Sequence, residues 1–136
     1  SQFFLTSLNS VGLIGVGNGL RLDSLASANQ PPTAGGLYRN NMIVAWASTL
    51  NGSNPTLLAS FGMRSVTRLN TGIYSFTLYN PMLNLNYLVT PISQSTNACV
   101  ATSNQSVVSF EVRSTNCDNS GLAVDTTVGV LIIGNQ

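Results

Sequence analysis

The sequence has no histidine and no lysine, and charged side chains make up only 7% of its 136 residues. Each shortage excludes something. Without histidine, the side chain that most often shuttles protons near neutral pH is missing. Without lysine there is no Schiff-base amine and no P-loop cation. The two cysteines, Cys99 and Cys117, form no C-x-x-C pair, and with no histidine to help them they argue against a zinc site. The five cations (Arg21, Arg39, Arg64, Arg68 and Arg113) are scattered, and the net charge is +1. Nucleic-acid binding wants a clustered basic face, so none is expected. The longest apolar runs, VGLIGVGNGL and VGVLIIG, fall well short of the roughly 20 residues of a spanning helix, so no membrane segment is expected. The start of the chain shows neither a basic n-region nor a long apolar h-region, so no signal peptide is expected.

The remaining candidates for chemistry are few. General-base duty would fall on Asp23, Glu111, Asp118 or Asp125. Of these, Asp118 and Asp125 are near enough in sequence to converge on a cleft, at the roughly 5–10 Å that paired glycosidase carboxylates need. The simpler reading places them in solvent at turns and strand ends. Serines abound, but no G-x-S-x-G elbow occurs and an unaided hydroxyl is a weak nucleophile. GVGNGL lacks the third glycine of a dinucleotide fingerprint and the lysine of a P-loop. The turn NCDNSG, Asn116–Gly121, offers oxygen ligands without the alternating carboxylates and closing glutamate of a calcium loop. We therefore expect no catalytic, metal or cofactor-binding residues. The N-x-S triplets at Asn51 and Asn104 read as turns.

What is present is apolar and hydroxylic: 43% of the residues are hydrophobic, and much of the remainder is Ser, Thr, Asn and Gly. A chain so poor in charge is prone to associate, so part of its apolar surface is expected to lie against other subunits. Residues 1–33 are glycine-rich (Gly12, Gly15, Gly17, Gly19) within an apolar run, which weakens helix and strand alike. They read as an extended N-terminal arm, closed by the breaker Gln30–Gly36.

Residues 34–136 read as one β-domain. NMIVAWAS alternates Met42, Val44 and Trp46 against Ile43, Ala45 and Ala47. The turn Asn51–Pro55 follows, and then TLLASFGMRSVTRL as one or two strands. GIYSFTLY sets Tyr74, Phe76 and Leu78 on one face. A strand centred on NYLVT and a hairpin near Asn104-Gln105 come next. In the hairpin's second half Val108, Phe110 and Val112 point inward. TTVGVLIIG closes the chain as a central strand. No apolar period of 3.6 runs for three turns. Seven or so short strands with turns every 8–12 residues predict an all-β, antiparallel sandwich or barrel-like fold. Its core is expected to hold Trp46, Phe61, Val66, Tyr74, Phe76, Tyr87, Phe110 and Ile132. The two cysteines flank the hairpin, and the spacing leaves both a bridge and two free thiols open. Arg64 and Arg68 face outward in this reading, either solvated or paired with Glu111 or Asp125 of a neighbouring subunit.

From Ala34 to Gly134 the order of motifs resembles a β-domain of tailed-bacteriophage fibre and virion-surface decoration proteins, especially those of cyanophages. GGLYRNNMIVAWAS is similar to the family's opening strand through Tyr38, Asn41, Ala45 and Trp46. The core pattern is matched by Ser60, Phe61, Ser65, Val66, Thr67, Gly72, Tyr74, Phe76 and Leu78, and Asn86-Tyr87 follows in its usual place. Gly62 and Met63, where Asn-Val is common, and the cysteine pair depart from it, and residues 1–33 lie outside it. The resemblance implies a non-enzymatic homotrimer located in the virion and contacting the major capsid protein or other virion proteins. As a short chain it would be a capsid decoration (cement) protein. As a fragment it would be the tip of a tail fibre, recognising a host surface glycan.

Overall fold

The computed structural model describes residues 42–136. Within them the chain is all β. Eight strands form: β1 (Ile43–Leu50), β2 (Thr56–Phe61), β3 (Met63–Asn70), β4 (Ile73–Leu78), β5 (Leu88–Ser93), β6 (Ala98–Ser103), β7 (Ser109–Asn116) and β8 (Val128–Ile133). They make two four-stranded sheets. Sheet I has the order β2-β1-β8-β5 and sheet II the order β3-β4-β7-β6. Every pairing is antiparallel. The expected sandwich is therefore the observed fold, with TTVGVLIIG supplying the central strand β8. The arm expected over residues 1–33 lies outside the described residues.

TLLASFGMRSVTRL resolves into two strands because Gly62 sits between them at φ +68°. A Cβ there would lie 2.7 Å from the Val44 carbonyl oxygen. With that carbonyl so close, only glycine fits at this positive φ, and the chain changes sheets at this residue. Asn51, Asn104 and Asn119 also adopt positive φ. Asparagine tolerates that region in turns, which supports reading Asn51 and Asn104 as turn residues.

The core lies between the sheets. Tyr74, Phe76 and Leu78 of β4 and Phe110 and Val112 of β7 are buried, as the alternation predicts. The rings of Phe76 and Phe110 stack with centroids 5.3 Å apart. Val128, Val130 and Ile132 of β8, Val89 of β5, and Met63, Met82 and Tyr87 complete the cluster, with Val66 half-buried against it. Two expected core residues are corrected. Trp46 is 39% exposed and Phe61 60% exposed. β1 instead turns Ala45, Ala47 and Thr49 inward. The large inner side chains come mainly from sheet II, and across from them small ones complete a close-packed interior. The Thr49 hydroxyl is satisfied there, donating to the Val128 carbonyl at 2.8 Å and accepting from the Val128 N–H at 3.0 Å. Val108, expected to point inward, precedes β7 and is exposed; its carbonyl accepts from the Leu78 N–H.

Candidate interaction surface

The outer faces of the two sheets differ in kind. All charged side chains among the described residues (Arg64, Arg68, Glu111, Arg113, Asp118 and Asp125) belong to sheet II or to the β7–β8 connection. The four strands of sheet I carry none.

Register arranges the outer face of sheet I in rows. Ile43, Ile133 and Leu88 lie side by side across β1, β8 and β5. Phe61, Trp46, Leu131 and Thr90 form the next row across all four strands, and Ala59, Ser48, Gly129 and Ile92 form the third. Ile43, Trp46, Phe61, Leu88 and Ile92 are 39–61% exposed. The β4–β5 and β6–β7 connections also hold exposed apolar side chains, Tyr79, Leu83, Leu85 and Val108. The β4–β5 connection is tied to the end of the chain and to the β6–β7 connection by Leu83 N–H to Asn135 O and Met82 N–H to Val107 O.

The outer face of sheet II runs in the opposite sense. Thr67, Ser75, Glu111 and Ser103 make one row, and Ser65, Thr77 and Ser109 another. Glu111 accepts from Asn104 at 2.8 Å and faces Arg113 at 3.5 Å, and the Arg113 Nε donates to Ser103 at 2.9 Å. This face satisfies itself and water with hydroxyls and charge.

At the end of the sandwich where β3 and β4 meet, Asp125 gathers several donors. Arg68 Nε and Nη2 donate to its two carboxylate oxygens, each at 2.9 Å, and the Gly72 N–H donates at 2.9 Å. The Tyr74 hydroxyl donates at 3.3 Å while accepting from the Thr126 N–H at 2.8 Å. The Arg68 guanidinium, then the Gly72 N–H, hold the Asp125 carboxyl below the ordinary carboxylate range against the opposing effect of partial burial. Burial, foremost, pushes the Tyr74 hydroxyl up. The same cause raises Tyr87, whose hydroxyl donates to the Ser106 carbonyl at 2.6 Å. Arg68 and Asp125 thus pair within one chain, where the sequence left Arg68 either solvated or paired with a neighbouring subunit. Arg64 stays exposed.

Among the described residues, each carboxylate considered for catalysis has its own surroundings. Asp118 is held by its own turn, accepting from the Ser120 hydroxyl and N–H, which lowers its pKa. Asp125 is committed to Arg68, Glu111 lies on the outer face of sheet II, and Asp23 lies outside the described residues. Cys99 and Cys117 are joined as a disulfide with Cα atoms 5.3 Å apart. The bridge closes the open end of the β6–β7 hairpin beside an open hollow lined by Asn97, Asn116, Cys117 and Asp118. Among the described residues, Asp118 is the one carboxylate that lines the hollow.

The surface on sheet I was visible in part. Charge-free strands with apolar residues at both odd and even positions, such as IVAWASTL and VGVLII, are the signal. Alternation alone assigns one face to the core and leaves the other unexplained. In comparisons with known proteins, the chain matches no family model, no curated protein and no solved structure.

Proposed function

We propose that the protein is a non-catalytic structural subunit of a tailed-bacteriophage virion, a homotrimeric decoration protein seated on the capsid surface against the major capsid protein. One observation carries the assembly part of this reading: an outer sheet face that is apolar and holds no charge, on a body whose opposite face is hydroxylic. Contiguous exposed apolar surface of this kind marks protein–protein contact. The phage setting and the threefold symmetry rest on the order of motifs from Ala34 to Gly134. Arginine-poor, lysine-free surfaces suit packing against a protein shell, where desolvating charge is costly.

Copy number in purified virions tests the proposal. Hundreds of copies per particle are expected, together with heads that lose heat resistance, but not host adsorption, when the protein is removed. A few dozen copies or fewer, with adsorption lost, would relocate it to a tail-fibre tip that binds host glycan. Absence from the particle would overturn the reading.

A further inference from the structure

We propose that the outer face of sheet I is the surface through which copies of this chain pack on one another, the same face of each copy lining the axis of the assembly. This deepens the structural-subunit reading and rests on it. Three observations carry it.

Area is the first. Five large side chains, each half-exposed, present on the order of 100 Å² apiece, about 500 Å² of apolar surface in all. A standard interface buries about 800 Å² per partner, of which roughly 60% is apolar. The face is the size a second copy needs.

The second is charge. When a face meets its own copy, any charge on it must find its opposite elsewhere on that same face or be desolvated unpaired. Sheet I has no charged residue on any strand. Sheet II, with Glu111 and Arg113 on its outer side, would bring such groups together and desolvate them.

The edges of sheet I make the third. β5 contains Pro91, which has no N–H to donate, and β2 is interrupted by a register shift opposite Ser48 and Thr49. Proline and bulges are the features that discourage strand addition at an edge. Association is thereby directed to the face.

Trp46, the one tryptophan of the chain, lies in the middle row of this face and reports on it directly. The full chain is diluted while light scattering reads its mass and Trp46 emission and acrylamide quenching read the face. We expect a multimer with blue-shifted, protected Trp46. As mass falls to the 14.3 kDa of one chain, the emission should shift red in parallel. Ile92→Lys should weaken association about 100-fold or more with an unchanged far-ultraviolet spectrum.

A multimer whose Trp46 stays quenchable, and whose mass survives Ile92→Lys, would overturn this inference and leave the structural-subunit reading intact. A monomer with Trp46 protected at every concentration would mean that the face is covered by the chain itself, which also overturns it. A monomer with Trp46 open to quencher would overturn both.

Discussion

Sheet I and sheet II share one core yet solve their outward-facing problem in opposite ways. Sheet II is self-sufficient. A disulfide staples its β6–β7 hairpin, its outer rows of Ser and Thr face water, and Arg68, Glu111 and Arg113 find partners on the same chain. Sheet I has no such devices: its outer rows hold Trp46, Phe61, Leu88, Ile92, Leu131 and Ile133, and its strands carry no charge. Exposed apolar area gains by burial at about 25 cal/mol per Å², so sheet I has most of the stabilisation still to make; on the strands of sheet II the one exposed large apolar side chain is Leu69. The lesson is that damage to sheet II should be felt in folding, and damage to the outside of sheet I in association.

The largest separation is expected from the disulfide. Replacing Cys99 and Cys117 together by Ser opens a link spanning 18 residues. By loop entropy this costs about 3 kcal/mol of protomer stability, read by denaturant unfolding. The strength of association between folded copies should not change. A loss of assembly at concentrations where the variant is fully folded would break the contrast.

A smaller effect is expected at Asp125. Asp125→Asn keeps the shape but surrenders the charge that holds Arg68 and the Gly72 N–H, at about 1 kcal/mol near neutral pH. Its pH dependence fixes the cause. The folded-state pKa lies below the ordinary 3.8, so the contribution is fully present above the unfolded value and fades as pH falls through the folded one. The stability gap between wild type and variant should therefore be constant from pH 7 to about 5 and close in the acid range. A gap that persists at pH 2 would show that the side chain acts through packing alone.

The smallest folding effect belongs to the outside of sheet I. Leu88→Ser removes an exposed leucine and should change protomer stability by less than about 0.5 kcal/mol, measured on dissociated chains, while loosening the assembly. A protomer cost comparable to that of Asp125→Asn would mean that the residue belongs to the core.

The inner faces were legible because alternation in GIYSFTLY and in SFEV has only one sensible reading. Tyr74, Phe76 and Phe110 are large and apolar, while Ser75, Thr77 and Glu111 between them are polar, so only one face can be buried. β1 lacks that contrast. In IVAWASTL both faces are apolar, and size suggested Trp46 for the interior. Packing decided otherwise, since the large side chains arriving from sheet II leave room for Ala45, Ala47 and Thr49. Phe61 faces outward as Trp46 does, since the two pair across β1 and β2. The disulfide and the Arg68–Asp125 pair depend on contacts 18 and 57 residues apart in sequence. Local pattern does not set those distances; the strand order does. The signal for an outward partner surface was present as composition, too little charge for the amount of apolar material, and register then located it on one sheet.

One paired substitution tests the central contrast most directly. Thr90 lies on the outer face of sheet I beside Leu131, and Thr67 on the outer face of sheet II beside Ser75; both are exposed. Thr90→Lys and Thr67→Lys introduce the same chemistry on opposite sides of one sandwich. Light scattering of each full-length variant should find Thr67→Lys with the wild-type multimeric mass and Thr90→Lys at 14.3 kDa, the mass of a single chain. If the two behave alike, or if Thr67→Lys is the one that dissociates, the assignment of sheet I as the partner face is wrong.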